Sequence, residues 1–215
     1  DWDGVLETVD AALKDTFSTR DLYLMKMQAH LEKQDSAAYI NDLKEAIART
    51  EHVGFAQNLL YVYMQRNQPE EAMALANELV ASNPSSHTGY YLKGCIELNM
   101  LKNYVQARES FKRAIELNPS FVDANVNMAY TFMNEVVSRR NAGDWKLDRS
   151  NKAEFDKEFE EIKKYYEQAL PYMERAHELV PEQPKVWAAA LQQIYTNLQN
   201  KAKADEMDAI LSTAY

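Results

Sequence analysis

The side chains best suited to chemistry in this chain are four histidines, one cysteine and a few adjacent acid pairs. Their spacing argues against using them that way. His30, His52, His87 and His177 stand in different segments. A metal needs two or more donors at loop or helical spacing, and no pair of these has it. Cys95 sits in an apolar stretch with no adjacent basic residue, the setting of a buried inert thiol rather than an activated nucleophile. Glu160 and Glu161 are neighbours, so on a helix they point about 100° apart and cannot share one substrate. Gly-x-Ser-x-Gly, glycine-rich phosphate loops and His-Glu-x-x-His are all absent. No catalytic, cofactor-binding or metal-binding residue is expected, and the chain reads as a non-enzyme.

Bulk properties narrow the class further. The 215 residues carry 46% hydrophobic side chains, enough for a real core. Five glycines and six prolines are few, and the abundance of Ala, Leu, Glu, Lys and Met favours helices. No run of alternating β-branched residues suggests a strand. A net charge of −9 speaks against nucleic acid, whose binders need Lys and Arg to displace phosphate counterions. No apolar stretch approaches the roughly 20 residues that span a bilayer. A soluble chain of the cytoplasm or of the periplasm and cell envelope is expected. The single cysteine excludes an internal disulfide.

One pattern occurs three times. Ala72, Ala76, Leu79 and Pro84 are spaced like Ala107, Phe111, Ala114 and Pro119, and like Ala169, Met173, Ala176 and Pro181. The first three positions of each set share one face of a helix, and the proline ends it. Pro84 and Pro119 are 35 residues apart, whereas Pro119 and Pro181 are 62 apart. The longer gap reads as one 34-residue period plus a 28-residue insertion. Before each of these helices lies a second apolar periodicity: Leu59, Leu60 and Tyr63, then the stretch opening at Tyr90, then Asn125, Met128, Ala129 and Phe132. Trp187, Ala190, Leu191 and Ile194 supply a last one.

These residues resemble the tetratricopeptide repeat, a helix–turn–helix unit of 34 residues. Its consensus has Trp, Leu, Gly and Tyr on the first helix, and Ala, a large apolar residue, Ala and Pro on the second. The resemblance implies an all-α, right-handed superhelical array of antiparallel helix hairpins over 1–215. Residues 1–18 read as an orphan second helix, 20–52 as a degenerate first unit, 53–86 as the second and 87–121 as the third. A fourth unit, 122–183, contains the insertion at about 136–163, and 184–215 forms a capping unit. The orphan helix points either to further repeats before Asp1 or to a dedicated cap, and offers a route to self-association.

In the inserted unit the helical pattern continues through Val136, Val137 and Arg139 to Asn141. Trp145 to Arg149 is loop-like, Ser150 or Asn151 caps the next helix, and Phe155, Phe159, Ile162 and Tyr166 line its buried side. The result should be a projecting arm in which Phe155, Phe159 and Ile162 pack on Val136, Val137 and Trp145. Pro171 should kink or break the long helix near Glu167–Leu170.

By resemblance, first helices line a concave groove. Gln57, Asn58, Tyr61, Tyr91, Asn127, Tyr130 and Asn134 then become its candidate partner-binding residues. Tyrosine offers flat apolar area with a hydroxyl, and amides pair with an extended backbone. The resemblance therefore implies a protein-interaction scaffold for a peptide or partner protein, with no cofactor. Capture of a sugar or peptide in the cell envelope and structural self-association are the competing readings. Leu24, Thr88 and Leu92 stand where binders of acidic chaperone tails carry a charged clamp, which disfavours that subtype.

Overall fold

The computed structural model describes residues 1–14 and 19–213. Eleven α-helices and no strand are found among them. The all-α architecture of successive hairpins is therefore what the sequence adopts. Positions 15–18, the end of the expected orphan helix, and 214–215 lie outside the described residues. The chain divides into two compact units, Asp1–Lys102 and Asn103–Tyr215. The sequence pattern draws one array, and it places the helices on either side of this division in one repeat.

The first unit contains α1 (Trp2–Lys14), α2 (Thr19–Glu32), α3 (Ser36–Thr50), α4 (Val53–Arg66), α5 (Pro69–Ser82) and α6 (His87–Asn99). Short polar residues set their starts. The Asp35 carboxylate accepts from the Ala38 amide at 2.9 Å, and the Ser86 hydroxyl accepts from Gly89 at 2.8 Å. Both satisfy an amide that has no partner inside its helix. Asn67 turns left-handed (φ 52°) after α4, and Pro69 opens α5 where its missing N–H costs nothing. Ala72, Ala76 and Leu79 are buried, as their spacing requires.

One carboxylate ties the end of α3 to the start of α6. Glu51 adopts φ 52°, and its side chain accepts from the Ser86 hydroxyl (2.9 Å), the Thr88 amide (3.0 Å) and the Asn83 side-chain amide (3.3 Å). Its backbone carbonyl accepts from the Thr88 hydroxyl at 2.6 Å. Ser86 and Thr88 are both buried. An anion at the opening turn of α6 also faces the positive end of that helix.

On the other side of α3, Tyr23 is fully buried and receives the Arg49 guanidinium at 3.4 Å. Burial pushes its phenol up to about 12, with Glu45 adding to the rise and Arg49 opposing it. A group that holds its proton more tightly when folded stabilises fully below its unfolded value, and less as pH rises through the folded one. Thermal stability should therefore fall between about pH 10 and pH 12. Tyr23→Phe should flatten that fall in a series of melting curves.

The second unit contains α7 (Tyr104–Leu117), α8 (Val122–Ala142), α9 (Lys152–Leu179), α10 (Pro184–Asn197) and α11 (Lys201–Thr213). Each packs on the next in sequence. Ala107, Phe111, Ala114, Ala169, Met173 and Ala176 are all fully buried, as are Trp187 and Ile194. Alanine at four of these positions lets neighbouring helices approach closely, and larger side chains there would overpack.

With 21 and 28 residues, α8 and α9 are the two longest helices of the described chain. Gly143 (φ 85°) ends α8, and Asn151 caps α9 by accepting from the Glu154 amide at 3.4 Å. Burial in this hairpin differs in detail from the apolar spacing. Ile162 and Trp145 are buried, but Phe155 and Phe159 are half-covered and stack on each other, rings 6.1 Å apart and 7° from parallel. Val137 keeps 49% of its surface open. The loop after α8 is held instead by a buried acid: Glu158 accepts from the backbone amides of Lys146 (3.1 Å) and Leu147 (2.7 Å). Arg139 lies over the Trp145 ring and pairs with Asp144, while the Trp145 indole donates to Glu161.

Of the kink or break expected near Glu167–Leu170, the break does not occur: helix α9 is continuous through Pro171. Pro171 and Glu167 are both exposed. The carbonyl that loses its partner thus faces water, which lowers the cost of the missing hydrogen bond.

Candidate functional site

Each unit presents a polar–aromatic row on a helix. In the first unit, α4 buries Phe55, Ala56 and Leu59 and turns Gln57, Asn58, Tyr61 and Met64 outward. Those four lie at i, i+1, i+4 and i+7, a single helix face. Tyr61 is 63% exposed and Met64 46%. No acidic residue occurs anywhere on α4. Tyr91 differs from its expected setting: its ring is buried, and its hydroxyl receives the Gln57 side-chain amide at 3.5 Å. Gln57 therefore has a fixed partner 34 residues away, whereas Tyr61 stands open.

Helix α2 carries a matching row that the repeat pattern does not reveal. Leu24, Met25, Gln28 and Leu31 repeat the spacing of Gln57, Asn58, Tyr61 and Met64 with an offset of 33 residues. Leu24, Met25 and Leu31 are among the most exposed large apolar residues of the chain. The two helices meet where Tyr23 abuts Phe55 edge-on, with ring centres 6.4 Å apart.

Exposed Asp21 and Glu32 flank this row, and Gln28 donates to Glu32 at 2.8 Å, while the half-buried charges of α2 lie on its other side. Lys26 reaches Asp10 at 2.8 Å and Asp42 at 3.4 Å, and His30 bonds Asp42. Burial pulls the Lys26 ammonium down, but Asp10, Asp42 and Glu45 more than reverse it, so its net shift is upward and it stays charged.

In the second unit, Asn127 and Tyr130 are half-buried and Asn134 is exposed on α8. Val137 and Asn141 extend the same stripe. It leads to a cleft of about 350 Å³ formed by α8, α9 and α10. Val136, Phe159 and Ile162 are among the apolar side chains lining it, and Arg140, Gln193 and Asn197 among the polar ones. Below lies Tyr166, whose phenol is pushed up by burial, with the Gln193 amide and the Arg140 charge pulling it back.

The residues considered for catalysis each hold structure. His52 accepts from the Gly54 amide at 3.1 Å, His177 lies on the Trp187 ring at 3.8 Å, and His87 approaches Glu51 at 3.4 Å. Glu161 serves Trp145, while Glu160 reaches Lys163. Cys95 is buried. Among the described residues, no three His, Cys, Asp or Glu side chains gather as metal ligands, and no helix is long and apolar enough to cross a membrane.

Comparison with known proteins places the fold. Residues 87–121, which hold α6 and α7, match the family model described as tetratricopeptide repeat. Protein O-mannosyl-transferase TMTC3 of Homo sapiens is 28% identical over 109 residues, 51% of this chain and 12% of that protein. The chain thus spans a small fraction of the curated relative it matches. Among solved structures, PilW, a type IV pilus biogenesis factor, superposes with a TM-score of 0.57 at 17% identity, covering 98% of this chain and 84% of that one. MamA gives 0.54 at 17% identity, covering 89% and 87%. TTC0263, a thermophilic tetratricopeptide protein of Thermus thermophilus, gives 0.51 at 15% identity, covering 92% and 91%. The fold is that of tetratricopeptide-repeat proteins.

Proposed function

We propose that this chain is a non-catalytic scaffold that binds a peptide or partner protein through the outward face of α4, extended by the matching face of α2. The carrying observation is the open row of Tyr61 and Met64 beside Asn58, on a helix without an acid. An exposed aromatic ring and a thioether would lose that area to water-free contact on binding, which is where interface energy concentrates. Amide side chains beside them can pair with the partner's backbone. In the second unit, Asn127, Tyr130 and Asn134 form the corresponding row. What supports a non-catalytic role is that each histidine and acid pair considered for chemistry is engaged in caps, ring contacts or ion pairs.

The test begins with partners captured by the intact chain and measures their affinity for variants. Tyr61→Ala with Met64→Ser should weaken a true partner about tenfold or more, since truncated central aromatics commonly cost at least 2 kcal/mol. Both residues are exposed, so melting temperature should hold. Unchanged affinity in that variant and in Tyr130→Ala would remove these faces from the reading.

A further inference from the structure

We propose that the cleft of the second unit binds the C-terminal residue of a polypeptide with an apolar last side chain. The inference is independent of the α4 face, because every residue that forms the cleft lies within Asn103–Tyr215.

Three observations select this ligand. At about 350 Å³ the cleft sits near the lower end of ligand-sized pockets, so it suits one residue rather than a folded surface. Its lining combines Val136, Phe159 and Ile162, a wall for an aliphatic or aromatic group, with polar side chains.

Arg140 supplies the second. It is exposed and has no carboxylate partner among the described residues, although its neighbour Arg139 is paired with Asp144 and Arg108 with Glu135. A planar guanidinium at the edge of a cleft with one apolar wall matches a carboxylate in a two-bond pairing. The other ionised groups near this hairpin do not compete for it. Glu158 is occupied by two loop amides and Glu161 by the Trp145 indole.

The third is the amides. Gln193 and Asn197 follow one another at i and i+4 on α10, and the Asn197 side chain donates to the Gln193 carbonyl at 2.8 Å, which fixes it. The Gln193 amide already bonds the Tyr166 phenol, and what it and Asn197 leave over, a carbonyl oxygen and an N–H on each, can meet the last peptide N–H and C=O of a chain. A plain fatty acid has neither group, so a peptide terminus uses more of the site than a free acid does.

Titration of the full chain with N-acetyl-alanyl-leucine, followed by amide chemical shifts and calorimetry, tests the assignment. Saturable binding at about millimolar or tighter is expected, with shifts centred on Arg140 and Gln193. The C-terminal amide of the same peptide, and the variant Arg140→Gln, should each bind about tenfold or more weakly, the loss expected for a charged hydrogen-bonded pair. An unaltered melting temperature certifies that the exposed Arg140 was replaced without harm. Failure to saturate, equal binding of acid and amide, or an undiminished response in Arg140→Gln overturns the proposal. Hexanoate binding as tightly as the peptide acid overturns it too, since the amides would then contribute nothing.

Discussion

Glu51→Ala should destabilise the first unit by about 2–4 kcal/mol, the range for stranding buried donors that had bonded a charged acceptor. The change removes the carboxylate that receives Ser86, Thr88 and Asn83. Ser86 and Thr88 are buried, so water cannot fully replace it. It also leaves a β-carbon at φ 52° without the bonds that hold that backbone in place. For a unit of this size the melting temperature should drop by about 10 °C or more. Glu51→Gln keeps an acceptor oxygen but not the charge, so roughly half the loss is expected. Urea denaturation followed by helical circular dichroism gives the comparison. A loss below that of an ordinary surface substitution, within about 0.5 kcal/mol, would mean that α3 and α6 are not coupled through this side chain.

A second large effect should appear at Glu158. This carboxylate is nearly enclosed, and it is the acceptor for two successive loop amides. Alanine there leaves both amides without a partner and frees Leu147 from its left-handed turn (φ 49°). A local cost of about 2–3 kcal/mol is expected from the loss of two charge-assisted bonds. The consequence is confined to the α8–α9 loop, because α9 keeps Ile162, Tyr166 and Met173 buried. Hydrogen exchange at Lys146 and Leu147 should therefore accelerate by about 30-fold or more while the amides of α10 hold their protection. Exchange that rises everywhere would show global loosening, and no change at the loop would mean that the carboxylate contributes little.

The contrast between these two acids and the alanine stripes explains what the sequence could convey. Ala107, Phe111 and Ala114 announce themselves because a helix repeats every 3.6 residues, so their common face follows from spacing alone. Their burial is a local consequence of that face. Glu51 and Glu158 carry no such mark. A glutamate looks like surface, and the donors that make each one structural lie 32 to 37 and 11 to 12 residues away. The end of α4 is of the kind local residue types do convey, since Asn67 tolerates a left-handed turn and Pro69 begins a helix well.

Candidate binding residues divide along the same line. Tyr61 is open, as an outward first-helix position should be, but Tyr91 is buried and bonds Gln57. Both are tyrosines in similar stretches, and only their neighbours in space distinguish them. The α2 row stayed hidden because no proline closes that unit and because its offset is 33 residues rather than 34. Arg140 sits in a run of helical polar residues that reads as solvated surface until α10 places Gln193 and Asn197 near it. Likewise, the turn at Lys102–Asn103 looks like any hairpin turn, yet the division between units falls there.

The claim on which the functional account turns is that partners meet the outward face of α4. Benzophenone side chains placed at Tyr61, and at the exposed Glu70 of α5 as control, test it by irradiation in the native host. The account predicts a discrete covalent adduct with another protein from position 61 and none from position 70. Adducts of equal yield from both positions, or from neither, would contradict it.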